Sequence, residues 1–415
     1  MSWSLADQVL ASLTNFGLTV LVARSVAPRQ FGIFSIIMAA YLLAAFVARG
    51  MTSEPLVTRY SAAALPDWVQ AVRASTAATG LVGLLLAAIV AGLGLLLPAG
   101  PRAVSLALAV VLPGVLLQDH LRFAFFTRGQ PKHAFANDLF WTITQFTLIA
   151  VVVQRGVHSA PPLVLLWGGS GTVAAAVGLV QLRQWPAPGR VRWWFAEHRT
   201  LWRYYVVENS LLQATNLVVL AVVGGLAGLA AAGSLRAAVA IFGPLSVLAL
   251  GALAGGVPEL ARLAGRDLRR MRRATLLLGC SLAAATVVWG LTVLLLPDAA
   301  GRALFGQTWT LARPILVFTW VDAIGSLFVI GPFAGLRALG NGRRSMRLRA
   351  AFSLVRLVIA CAGALAGGLR GAVLAFAVMA PVQMAGWWWQ FTRAQRAASE
   401  AAIVVRPDPV ETAKL

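Results

Sequence analysis

Lysine is nearly missing from this chain: Lys132 and Lys414 are the only two, so arginine supplies almost all of its 35 basic side chains. Acidic residues are also scarce, 14 against those 35, and only 12% of the 415 residues carry charge. So little charge beside 59% apolar residues, at a mean hydropathy of +0.79, excludes a soluble globular protein, whose core could not bury that much apolar surface. The two cysteines, Cys280 and Cys361, both lie inside apolar runs, which excludes a disulfide framework and a cysteine zinc site. The four histidines (His120, His133, His158, His198) are scattered, no G-x-S-x-G occurs, and no loop is long enough for a catalytic domain. Neither an enzyme nor a bound cofactor or metal is expected. A formal charge of +21 ordinarily points to nucleic acid. Here the arginines fall in short gaps between apolar runs, so they report membrane topology and no nucleic-acid partner is expected.

What is present is an all-α polytopic membrane protein. A spanning helix needs about 20 mostly apolar residues, and twelve stretches fit: 5–26, 31–51, 70–97, 102–127, 134–154, 160–182, 202–224, 230–257, 273–296, 311–337, 347–366 and 370–392. The first lacks a basic leader and a cleavage site, so it reads as a retained helix. Arginines crowd the loops that follow even-numbered spans, as at 262–273 and 337–349, and are sparse in the others. Positive charge stays in the cytoplasm, which puts both termini there. The domains expected are an N-terminal six-helix lobe (1–183), a cytoplasmic amphipathic linker rich in tryptophan and arginine (184–201), a C-terminal six-helix lobe (202–396) and a disordered tail (397–415).

The halves repeat. Asp7 and Glu208 are 201 residues apart (208 − 7), and the same offset takes Asn15 to Asn216 and Gly32 to Gly233. Gln8, Ser12 and Asn15 form one helical face, and Asn209, Gln213 and Asn216 form another with the same spacing. Farther on, LLLPAGPR at 95–102 resembles LLLPDAAGR at 294–302, and Gly129-Gln130-Pro131 resembles Gly340-Asn341-Gly342. Two six-helix repeats inserted the same way up leave a cleft between lobes. The matched stripes either face one cavity there or glue neighbouring helices.

An ionisable side chain inside a span costs at least ~2.5 kcal/mol, so each should face protein or water. Gln118, Asp119 and Arg122 end one helix, and Asn137, Asp138, Trp141 and Gln145 begin the next. An Asp119–Arg122 or Arg122–Asp138 ion pair would lock that hairpin or take part in transport. Asp322 has no basic residue close by in sequence and is expected to be unpaired and able to exchange a proton. Arg236 either snorkels outward or faces the cavity, Arg24 and Arg49 lie near helix ends where topology explains them, and Arg356 either snorkels or is paired.

The opening segment DQVLASLTNFGLTVLVARSVAPRQFGIFSI, with QDHLRFAFFTRGQPKHAFANDLFW at 118–141 and GSLRAAVAIFGPLSVLALGALAGGVPELARL at 233–263, resembles bacterial polysaccharide flippases. These are Wzx-type members of the multidrug/oligosaccharidyl-lipid/polysaccharide exporter superfamily. The same fold houses multidrug antiporters and lipid II flippases. The resemblance implies a V-shaped transporter in the bacterial inner membrane. It would move an undecaprenyl-diphosphate-type lipid-linked glycan to the outer leaflet by alternating access, with H+ or Na+ as coupling ion and a polysaccharide polymerase complex as partner. Carried over, it puts Arg24, Arg49, Arg236 and Arg122 near the diphosphate. Asn15, Asn216, Gln8, Gln213 and Trp141 would face sugar, and Asp322, Asp138 or Glu208 would titrate. The alternatives are an organic-cation antiporter, which would need a carboxylate-rich cavity, and a membrane glycan polymerase or ligase, for which the short outer loops, with Asp298 as their one acidic residue, offer no site.

Overall fold

A computed structural model describes residues 2–404 of the chain, and among these no strand occurs. The helices are α1 (Ser2–Ser25), α2 (Pro28–Ala48), α3 (Glu54–Tyr60), α4 (Leu65–Leu95), α5 (Ala99–Thr127), α6 (Pro131–Gln154), α7 (Ala160–Leu182), α8 (Val191–Glu197) and α9 (Arg199–Leu226). They continue as α10 (Leu229–Ile241), α11 (Leu245–Ala264), α12 (Leu268–Leu294), α13 (Asp298–Phe305), α14 (Thr308–Ala312), α15 (Leu316–Phe328), α16 (Ile330–Ala338) and α17 (Gly342–Val404). Eleven helical stretches among the described residues are long and apolar enough to cross a membrane. One of them, Arg344–Glu400, is two spans. Its backbone leaves helical geometry at Gly367 and Gly368, and the chain folds back so that Gly363 and Gly371 meet backbone to backbone, which no continuous helix permits. Counting the two arms of that reversal separately gives twelve candidate spans among the described residues, as the apolar runs predict. Helix α17 runs on through 397–404, where the sequence suggests a disordered tail, and 405–415 lie outside the described residues.

The sequence repeats reappear as repeated geometry. Gly129 and Gly340 both adopt left-handed φ, 71° and 74°, just past the ends of α5 and α16. After each, the same hydrogen bond closes the helix end: Gln130 N–H to the Phe125 carbonyl (2.9 Å) and Asn341 N–H to the Leu336 carbonyl (3.0 Å). Glycine is needed there because a side chain disfavours that φ. The other matched pair, Gly32 and Gly233, is one contact. A Cβ on Gly32 would run into the Leu229 carbonyl, and one on Gly233 would lie 2.9 Å from the Gly32 nitrogen, so α2 and α10 cross with their backbones touching.

By contacts the chain forms two compact units. Unit 1 holds the residues up to Ile241 with Pro297–Pro314 and Ala364–Leu369; unit 2 holds Phe242–Leu296, Ile315–Gly363 and the described residues from Arg370 onward. The core of unit 1 includes Leu56, Trp68, Val72, Leu121, Phe125 and Trp194, and that of unit 2 includes Met271, Phe333, Leu336, Trp387 and Phe391. Trp194 anchors the short linker helix α8, its indole N–H donating to the Met51 carbonyl at 3.1 Å. Long apolar side chains such as Leu84, Val110 and Leu277 stay exposed along the helices, the surface a bilayer would cover.

Candidate functional site

Continuing from α2, residues Arg49–Ser53 form one π-helical turn before α3 resumes. Such a turn inserts an extra residue, a feature often found at functional sites. The Arg49 guanidinium grips Asp119 of α5 with both arms, Nε to Oδ2 and Nη2 to Oδ1, each 2.6 Å. Phe46 and Phe123 cover its faces at 4.8 and 5.5 Å.

One turn along α5, Arg122 binds two carboxylates. Its Nε donates to Asp7 Oδ2 of α1 at 2.6 Å and lies 3.3 Å from Asp138 Oδ2 of α6. Gln118 Nε2 donates to Asp138 Oδ1 at 2.7 Å, and Asn137 ties α6 to α7 through the Ala174 carbonyl at 2.9 Å. Asp7, Asp119 and Asp138 are all buried, with Asp7 wholly out of solvent. Three carboxylates thus share two guanidiniums. Within this cluster, Asp7 Oδ1 and both amide atoms of Gln145 have no hydrogen-bond partner among the described residues. Burying such groups unmet is costly. Gln145 borders a pocket of about 80 Å³ whose lining also includes Asn15, Tyr41, Arg49, Arg122, Asp138, Trp141 and Trp167. Three polar groups at this site, the carboxylate surplus, the unmet amide and the Thr14–Thr142 hydroxyl pair at 2.9 Å, suit a small cation, a proton or a hydroxyl-bearing group.

Several expectations change on this geometry. Asp322 is not alone: Arg356 meets it bidentately at 2.6 and 3.0 Å inside unit 2, with the guanidinium 4.5 Å from the Phe376 ring. The reason is that α15 and α17, 34 residues apart in sequence at this point, pack together. Arg356 is therefore paired. Asp119 bonds Arg49 and not Arg122, so Arg49 does more than mark topology. Arg122–Asp138 forms as one of the two pairings open from sequence. Gln8 accepts weakly from Arg122 at 3.5 Å, and Asn15 is exposed at the pocket rim. Trp141 lines the pocket while its indole N–H donates to the Trp167 carbonyl at 3.0 Å. Gln213 is partly buried and Asn216 exposed on α9, and neither lines this pocket, so the matched stripes do not meet there. Glu208, beside Asn209 on α9, lies within electrostatic reach of Glu54 on α3. Arg24 is exposed at the end of α1, and Arg236 is partly buried on α10. Sequence reasoning missed Tyr41, Trp167 and the Arg49–Asp119 bond, because no local spacing announces partners 70 residues apart. His120, buried between the Ser53 and Ser75 hydroxyls at 3.0 and 3.1 Å, is a structural tie. No cluster of ligating residues suited to a metal ion occurs among the described residues.

Solved transporters share this architecture. A lipid II flippase, MurJ, in an inward closed conformation matches with a TM-score of 0.70 at 13% identity, covering 96% of this chain and 91% of that one. An inward-facing MATE-family multidrug resistance transporter of the MOP superfamily matches with a TM-score of 0.62 at 16% identity, covering 95% of both chains. A MOP superfamily transporter from Pyrococcus furiosus matches at 0.58 and 12% identity, covering 96% of this chain and 94% of that one. No family model matches the sequence, and no curated protein does. The chain has the fold of the MOP-superfamily transporters, and the solved structures it resembles are transporters and a lipid II flippase rather than enzymes. It is a multi-pass membrane protein of that transporter fold.

Proposed function

We propose that this protein flips a polyprenyl-diphosphate-linked oligosaccharide across a bacterial inner membrane by alternating access, with both termini cytoplasmic. The observation that favours this reading is the contrast among its arginines. Arg49 and Arg122 are neutralised by carboxylates, whereas Arg24 and Arg236 have no hydrogen bond or ion pair among the described residues. Their helices, α1 and α10, pack together in unit 1. Two unneutralised guanidiniums on packed helices suit the two phosphates of such a lipid, since arginine grips phosphate with a planar fork. Arg49 and Arg122 then hold the acid cluster in place. Asp138, sharing Arg122 with Asp7, is the coupling group favoured over Glu208 and over Asp322, which has an arginine to itself. A proton or Na+ would offset the surplus carboxylate. Asn15 and Trp141 at the pocket, with Gln8, are the sugar-facing candidates; Gln213 and Asn216 would serve from α9. A polysaccharide polymerase complex would take the product. The halves 1–183 and 202–396 would act as the moving lobes, with 184–201 as their linker.

The test is lipid-linked oligosaccharide in membranes of cells lacking the protein, complemented with wild type, Arg236→Ala or Asp138→Asn. Accumulation on the cytoplasmic face that wild type clears and Arg236→Ala does not is the expected result. A second reading, an organic-cation exporter, is favoured by one feature, the pocket that combines Tyr41, Trp141 and Trp167 with Asp138. Loss of the protein would then raise sensitivity to cationic compounds and leave lipid-linked glycan unchanged.

A further inference from the structure

We propose that a groove on unit 2, between the start of α12 and the end of α17, binds the phosphate headgroup of an anionic glycerophospholipid. Arg269, Arg272 and Arg273 stand at i, i+3 and i+4 on α12, which puts them on one face. Arg396, Gln395 and Ser399 of α17 form the opposite wall of a groove of about 570 Å³. The walls are tied together by Gln395, whose amide donates to the Leu268 carbonyl. Acidic residues do not use up this charge. Asp267 caps α12 through the Arg269 and Arg270 amides at 2.8 and 3.0 Å, and its ion pair goes to Arg270. Arg272, Arg273 and Arg396 have no carboxylate partner among the described residues.

The apolar surroundings point to a lipid rather than a free anion. Leu276 lines the groove, Leu277 beside it is 69% exposed, and the 56% exposed Trp389 lies a turn and a half before Gln395. Arg272 lies over Trp388 at 5.9 Å and Arg393 over Trp389 at 5.6 Å, so guanidiniums and indoles share the depth where headgroups meet acyl chains. A ligand that is anionic at one end and apolar along its length satisfies both. Topology alone would need arginines on this side of the membrane, not a cleft with unneutralised arginines on both walls.

The experiment is native mass spectrometry of the full chain in detergent, titrated separately with phosphatidylglycerol, phosphatidylcholine and phosphatidylglycerol plus inorganic phosphate. The groove variant is Arg272→Ala/Arg273→Ala/Arg396→Ala. The control, Arg262→Ala/Arg266→Ala/Arg270→Ala, removes as many charges outside the groove. The groove variant is expected to lose phosphatidylglycerol binding about a hundredfold, with the control within about threefold and phosphatidylcholine unchanged. Should the alanine variant fail to fold, Arg272→Lys/Arg273→Lys/Arg396→Lys keeps the charge without the fork and is expected to lose about tenfold. Equal loss in groove and control variants, or none in the groove variant, overturns the site. Displacement of the lipid by an equal concentration of inorganic phosphate overturns its assignment to a lipid.

Discussion

Unit 1 and unit 2 hold buried charge in opposite ways at positions that the sequence repeat relates. The offset that takes Gly129 to Gly340 (340 − 129 = 211) takes Gly114 to Gly325, Gln145 to Arg356 and Val111 to Asp322. The register has structural support: Gly114 and Gly325 each admit a neighbouring helix, at Thr172 and at Ala380. In unit 2 those positions form one closed neutral pair, Asp322 with Arg356. In unit 1 the same positions are apolar or unmet, and charge is spread over α1, the π-helical turn, α5 and α6, with carboxylates in surplus. Equivalent positions thus share packing and not chemistry. A pair that satisfies itself is suited to a lock, and a cluster one cation short is suited to exchange.

The sharpest way to break this comparison is Arg122→Ala, which strands Asp7 and Asp138 in a buried site. It should cost about 3–5 kcal/mol, read as denaturant stability of the purified protein in micelles. A loss of under about 1 kcal/mol would mean that the two carboxylates do not depend on this guanidinium to stay buried. Next comes unit 2. Arg356→Ala leaves Asp322 with no guanidinium and should cost about 1–3 kcal/mol, while Asp322→Leu combined with Arg356→Met should be nearly neutral. If the double variant is as unstable as the single one, the pair is more than a lock. The shared architecture has its own probe: Gly32→Ala and Gly233→Ala should each cost about 1–3 kcal/mol by overpacking, whereas Gly80→Ala, where a Cβ meets nothing within 4 Å, should be neutral or better.

The smallest effect is expected at the linker, outside both charge centres. His198 is buried beside Trp194, with Nδ1 2.9 Å from the Trp194 carbonyl and Nε2 3.2 Å from the Tyr60 hydroxyl. Burial pushes its pKa below the ordinary histidine value, against the weaker pull of the Trp194 carbonyl and Glu197; Arg59 pushes the same way as burial. The unfolded chain therefore takes up the proton first. The stability from this contact is present above pH ~6.5 and is lost as pH falls from there through the lowered folded value. Protease accessibility of the 184–201 segment should rise on acidification in wild type and lose that pH dependence in His198→Phe.

How far the chain could be read in advance differs between fold and site. The apolar runs gave twelve spans, and the Asp7/Glu208 alignment marked Gly32 and Gly233 before their backbones were seen to touch. Residues within one hairpin were also legible, because Arg122 and Asp138 lie on consecutive helices. Asp322 misled, since a partner 34 residues away leaves no trace in local spacing. Asn216 was matched to Asn15 correctly as sequence, yet only Asn15 reaches the pocket.

The sequence by itself determined what must sit in a membrane, which stretches are long and apolar enough to cross it and where the repeat lies. Burial of apolar surface and the cost of stranded charge act along any chain, whatever it later packs against. Only the tertiary structure decided which charges cancel. Arg49 with Asp119, Arg122 with Asp7 and Asp138, and Arg356 with Asp322 each join separate helices. An ion pair depends on a few ångströms of separation, which helix packing sets and residue order does not.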